Sequence, residues 1–118
     1  MATLGRIKPV CKALPGATHD VKWGADQVWS VGGKMFAVYC EVGRDAPSIS
    51  FKVDDERFLE LTDREGFIPA PYLARAHWVL VKDLKKVSDA ELKALVTRSY
   101  ALVAAKLPKG VRAKLATA

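Results

Sequence analysis

Apolar residues near the start of the chain recur at helical spacing: Leu4, Ile7, Cys11 and Leu14 fall on one face of a helix. Pro9 lies inside that pattern. It lacks a backbone donor and crowds the turn before it, so the helix is expected either to kink at Pro9 or to begin there. Leu14-Pro15-Gly16 ends the segment. The period then shortens to two. In residues 20–23, Val21 and Trp23 alternate with polar neighbours, which predicts a first strand. Residues 27–31 and 34–42 flank Gly32-Gly33, and two glycines between β-prone runs predict a two-residue hairpin turn with positive φ. Met35 to Cys40 is apolar almost throughout, as expected of a central strand. After a turn over residues 43–47, Ile49, Phe51 and Val53 alternate with Ser48, Ser50 and Lys52, giving a strand with one buried and one wet face.

Asp54-Asp55-Glu56 then opens a helix. Acids in a first turn suit the positive end of the helix dipole, and Asp54 or Asp55 is positioned to cap it. Phe58 and Leu61 supply its apolar face, and it ends by Gly66. Residues 67–73 contain Pro69 and Pro71, which exclude a regular helix and disfavour a central strand. Residues 77–82 read as a further strand. Ser88-Asp89-Ala90-Glu91 forms a capping box, in which Ser88 accepts a backbone N–H and Glu91 reaches back. The long helix that follows carries Leu92, Leu95, Val96, Tyr100, Leu102, Val103 and Leu107. Pro108 stops it or starts a last short turn through Leu115. Clustered strands with flanking helices imply an α+β fold: a two-layer domain over residues 1–118, with a mostly antiparallel sheet covered by helices on one side.

The composition agrees. Half of the 118 residues are hydrophobic and 27% are charged, enough for a packed core in one domain. No apolar run is long enough to cross a bilayer, and the first residues lack the apolar centre of a secretory signal. A cytoplasmic protein without membrane association is expected, with Cys11 and Cys40 reduced. Charge is unevenly distributed. Residues 1–52 carry 7 basic and 4 acidic side chains, residues 53–76 carry 3 and 6, and residues 77–118 carry 9 and 3. From Arg98 onward there is no acid, only Arg98, Lys106, Lys109, Arg112 and Lys114. Such a field attracts phosphate or other anionic surfaces, although it also serves as a solubilising face.

Catalytic signatures are missing. There is no dinucleotide fingerprint, phosphate-cradling Gly-Lys-Ser loop or paired-histidine zinc motif. His19 and His77 have no second ligand-type residue at helical spacing, so no metal site, cofactor or catalytic residue is assigned. The serines lack a glycine-flanked nucleophile turn. Aromatic residues beside cations are more informative: Lys22-Trp23, Lys34 ahead of Phe36, Phe51-Lys52, Tyr72 near Arg75, and His77-Trp78. Bases stack on aromatic rings while lysine and arginine meet phosphates. Strand alternation alone would put Phe36 and Phe51 in the core and their lysine neighbours in water. Trp23, Tyr72 and Trp78 lie near glycine or proline irregularities, where rings are often part-exposed.

The ordered series Ala13-Leu-Pro-Gly-Ala17, Lys22-Trp23-Gly24, Val31-Gly-Gly-Lys-Met-Phe-Ala37, Ser50-Phe-Lys52, Pro69-Ala-Pro-Tyr-Leu73 with Trp78, Ser99-Tyr100 and Leu107-Pro-Lys109 resembles the MmcQ/YjbR family over residues 4–115. The resemblance implies a compact α+β fold similar to type III secretion chaperones and bacterial frataxins. It also implies DNA binding through a "double wing" of hairpins, a role inferred from fold. Two departures stand out. Leu84-Lys85-Lys86 replaces the Asp-Gly turn of many relatives and is more basic, and Pro9 interrupts a helix usually unbroken in them. The first helix carries no acidic ridge, which disfavours a frataxin-like iron role.

The sequence therefore leads to a non-enzymatic DNA-binding domain with weak sequence preference. Its phosphate contacts would come from Lys22, Lys34, Lys52, Arg75, Lys82, Lys85 and Lys86, with His77 beside them and Trp23, Tyr72 and Trp78 as stacking surfaces. A protein- or peptide-binding adaptor is the alternative, as is a small-ligand pocket in which Arg75 and His77 hold an anion. Oligomeric state is left open.

Overall fold

Alternating residues from β-prone runs meet in one antiparallel sheet of six strands, ordered β1-β2-β3-β4-β6-β5. The strands are β1 (Ala17–Lys22), β2 (Asp26–Val31), β3 (Lys34–Cys40), β4 (Ser48–Lys52), β5 (Phe67–Pro69) and β6 (Trp78–Val81). The helices are α1 (Leu4–Ala13), α2 (Asp55–Thr62), α3 (Asp89–Ala104) and α4 (Lys109–Ala116), with a 3-10 turn at Leu84–Lys86 before α3. This computed structural model describes all of the chain except Met1, residues 23–25, 42–46, Tyr72, 74–75 and 117–118. The expected α+β class, the antiparallel sheet and the central place of β3 are all observed.

The hairpin at Gly32-Gly33 forms as its residues require, with φ of +57° and +80° and Val31 opposite Lys34. β5 is a three-residue edge strand ending in Pro69, and an edge is where proline's missing donor costs the ladder least. Of the two outcomes expected at Pro9, a helix beginning there is not what forms. The helix runs through it from Leu4 to Ala13 without restarting. The carbonyl that loses its partner belongs to Gly5, in the exposed first turn where water replaces the bond.

One face of the sheet carries the core. Trp29, Ala37, Tyr39, Ile49, Phe51, Phe67, Val79 and Val81 pack against Ile7 and Cys11 of α1, Leu61 of α2, and Leu92, Leu95 and Val96 of α3. Burial pushes the Cys11 thiol up to about 12, so it packs as an inert apolar group. The register slips beside Trp29 and Ser30: Trp29 faces Ala37, but Ser30 faces Met35, leaving Phe36 as an extra residue. This bulge lets the consecutive residues Phe36 and Ala37 both reach the core, and Phe36 meets Tyr100 edge-on at 5.4 Å. Ser99 of α3, fully buried, bridges the place where the β3–β4 ladder stops. Its hydroxyl donates to the Phe36 carbonyl at 2.6 Å and accepts from the Lys52 N–H at 2.9 Å.

The opposite sheet face carries a cross-strand row of Val28, Val38, Ser50, Leu80 and Ile68. Val28 is buried and the others are half-buried. Two helix-start expectations also change. Asp54 precedes α2, but its carboxylate caps nothing and instead takes two hydrogen bonds from Arg98, at 2.7 and 3.0 Å. Ser88 does accept the Glu91 N–H at 3.1 Å, but the Glu91 carboxylate does not reach back; it pairs with Arg64 at 2.7 and 2.8 Å. A guanidinium matches a carboxylate with two parallel donors, which outcompetes a single contact to the helix's own backbone.

Candidate nucleic-acid interface

The strand register assigns each cation to one end of the sheet. Lys22 pairs with Asp26, Cys40 with Ser48, and Ile49 with Val81, so these lie at one end. Val31 pairs with Lys34 and Lys52 with Trp78 at the other, the hairpin end. The predicted residues therefore divide. Lys34, Lys52, His77 and Trp78 belong to the hairpin end. Lys22 lies at the far end, where Lys82, Lys85 and Lys86 follow the last residue of β6. Trp23, Tyr72 and Arg75 lie outside the described residues.

At the far end the cations do not merge. Four strand spacings separate β1 from β6, about 19 Å at ~4.8 Å each, more than twice the ~8 Å over which physiological salt screens charge. Acids also interleave with them. Lys86 Nζ lies 3.4 Å from Glu65, the Asp83 carboxylate accepts the Lys85 N–H at 3.1 Å, and Arg64 is paired with Glu91. Arg64 additionally donates to the Lys86 carbonyl and lies 4.8 Å from the centre of the Phe67 ring. The Leu84-Lys85-Lys86 turn, basic in sequence, is part of a mixed-charge cluster in space.

At the hairpin end the cations gather. Leu107, just beyond α3, packs directly on the turn: a Cβ on Gly32 would sit 2.7 Å from its side chain. This contact brings Lys106, and with it the start of α4 bearing Lys109 and Arg112, to the β2–β3 hairpin. Lys52 shows the result. Partial burial and then the nearby Lys106 charge lower its pKa, against a smaller opposing pull from Asp55. Its ammonium donates to the Ala76 carbonyl at 2.6 Å. Lys34, Lys106, Lys109 and Arg112 are exposed. Three acids begin α2 at this end: Asp54 is held by Arg98, Asp55 lies 2.6 Å from His77 Nδ1, and Glu56 is exposed. Trp78 is only 5% exposed, so its ring is committed to packing. The acid-free run after Arg98 was the signal for Lys106, Lys109 and Arg112, but nothing in the order of residues says that they land beside the hairpin.

These residues sit in a recognisable framework. The family model for YjbR matches residues 12–102. The chain belongs to the YjbR family. Its fold is that of protein DR2400 from Deinococcus radiodurans, a DUF419 domain of 30% identity, with a TM-score of 0.84 over 98% of this chain and 89% of the other. A protein from Pseudomonas syringae shares the fold at 19% identity and a TM-score of 0.67, over 86% of this chain and 98% of its own. No match emerges among curated proteins. Among the described residues of this YjbR domain, no helix is long and apolar enough to cross a membrane.

Proposed function

We propose that this YjbR domain is a cytoplasmic, non-enzymatic DNA-binding protein that contacts phosphate with little base readout, using the hairpin end of its sheet. One observation supports the reading: Leu107 packs on Gly32, which keeps Lys106 near Lys52 and starts α4, with Lys109 and Arg112, from the same end of the sheet as Lys34. Flexible amines suit phosphate charge without fixing sequence, and each contact releases counterions, so affinity falls steeply with salt. Fluorescence anisotropy with labelled duplex and single-stranded DNA at two salt concentrations tests it. Binding at low salt that weakens in Lys34→Glu and Lys106→Glu is the expected result. Absence of binding even at ~50 mM salt, where the counterion term is large, removes the proposal.

A second reading, a protein- or peptide-binding adaptor, draws on the row Val28, Val38, Leu80 and Ile68, which lies on the sheet face opposite the helical core. Recovery of one defined protein after nuclease treatment, lost in Leu80→Glu, would favour it over DNA.

A further inference from the structure

His77 is, among the described residues, the one non-glycine with positive φ, at +60°. That conformation disfavours an L-residue, so glycine would suit the backbone better. The side chain has contacts that hold it there. Nδ1 lies 2.6 Å from Asp55 Oδ1, and the ring meets Phe58 edge-on at 5.2 Å. The surrounding backbone is pinned from β4: Val53 N–H donates to the His77 carbonyl at 2.9 Å, and Lys52 Nζ donates to the Ala76 carbonyl at 2.6 Å. With Nδ1 at Asp55, Nε2 is the ring nitrogen left for a further partner. No described residue bonds to it, and the side chain is 37% exposed.

Lys52 thus lies against the backbone beside His77 and within range of the Lys106 charge, and Asp55 already occupies the other edge of the imidazole, with Asp54 held by Arg98. We propose that His77 Nε2 and Lys52 Nζ form an anion site for a phosphate monoester, with Lys106 adding positive charge. A phosphate monoester keeps a second dissociable proton near neutral pH, so one proton can lie between it and Nε2. Whichever group holds it, the contact is a charge-assisted hydrogen bond, and the Lys52 ammonium meets the remaining charge. A backbone phosphodiester has neither that proton nor the second charge. The site therefore distinguishes terminal from internal phosphate, and it stands independently of duplex binding, which uses diesters.

The test follows ring-nitrogen NMR signals of the full chain during titration with inorganic phosphate, a nucleoside 5′-monophosphate and a dinucleotide lacking terminal phosphate. The expected result is a saturable shift of His77 Nε2 with His19 unmoved, and monoester binding about tenfold tighter than diester binding. Lys52→Gln should weaken the monoester by a similar factor. His77→Gly, which relieves the backbone, should abolish binding while the protein remains folded by its amide spectrum. A signal unmoved by ~50 mM phosphate, well above the millimolar range of weak specific binding, overturns the proposal. Equal affinity for monoester and diester, or an unaffected Lys52→Gln, does so too. A 5′-phosphorylated oligonucleotide binding more tightly than the free monophosphate would identify nucleic-acid ends as the source; equal affinity would identify a small phosphorylated metabolite. Anisotropy of a duplex with 5′-hydroxyl ends reports separately on the DNA-binding proposal.

Discussion

The two ends of the sheet hold comparable numbers of basic residues but arrange them in opposite ways. Beyond β6, Lys86 lies beside Glu65, Arg64 pairs with Glu91, and the Asp83 carboxylate sits on the Lys85 backbone N–H, so charges of both signs mix within a few ångströms. At the hairpin end Lys34 is exposed and Lys52 feels the charge of Lys106, while of the acids at the start of α2 Asp54 is engaged by Arg98 and Asp55 by His77. Much of this difference comes from α3. Its 16 residues span about 24 Å at ~1.5 Å per residue, from one end of the sheet to the other. Asp89 and Glu91 occupy its first turn, and Lys106 follows its last. That order suits the positive N-terminal and negative C-terminal ends of the helix dipole. A local electrostatic preference of one helix thus becomes a charge asymmetry of the whole domain. Counting lysines misses it, because both ends count alike.

The sharpest way to break the contrast is to detach the basic tail. Leu107→Ala removes a buried side chain from the hairpin turn and should cost about 2–5 kcal/mol, read by urea unfolding, with loss of low-salt DNA binding. An unchanged midpoint would mean that the tail is held elsewhere. Ser99→Ala comes next. It leaves the Phe36 carbonyl and the Lys52 N–H without their shared hydroxyl, an expected loss of about 1–3 kcal/mol by the same measurement. Replacement by cysteine, a weak hydrogen-bonding isostere, should recover little of it.

Charge reversal sharpens the comparison without disturbing the core. Lys34→Glu and Lys106→Glu should each weaken DNA binding several-fold and reduce the salt slope by about one, whereas Lys85→Glu should change anisotropy little. Equal effects at both ends would erase the distinction. The smallest effect concerns acid. Hydrogen bonds from Arg64 hold the Glu91 carboxyl below the usual range, and those from Arg98 do the same for Asp54. A depressed folded-state pKa stabilises above the ordinary carboxylate pKa of about 4 and is lost as pH falls through the folded value. Glu91→Gln should therefore lower stability at neutral pH and flatten its decline below about pH 4, as melting temperature against pH would show.

Several elements were legible before folding because a short-range rule set them. Gly32-Gly33 had to turn, Ser88 had to begin α3, and the apolar run of β3 had to be central; each depends on neighbours within a few positions. The carboxylates were misread for the same reason. Asp54 and Glu91 stand where helix caps stand, but their partners Arg98 and Arg64 are 44 and 27 residues away. β1 starts at Ala17, earlier than its alternation suggests, because pairing with β2 supplies what its exposed residues do not signal.

The chain alone determined its class, its core-facing positions, its hairpin and the family to which it belongs, since periodicity and turn chemistry act locally and survive in the order of residues. The tertiary structure decided which cations become neighbours, which carboxylates lie beside them, and that the Trp78 ring is buried. Those outcomes depend on where the ends of strands and helices come to rest, and Coulomb interactions follow distance in space rather than distance along the chain.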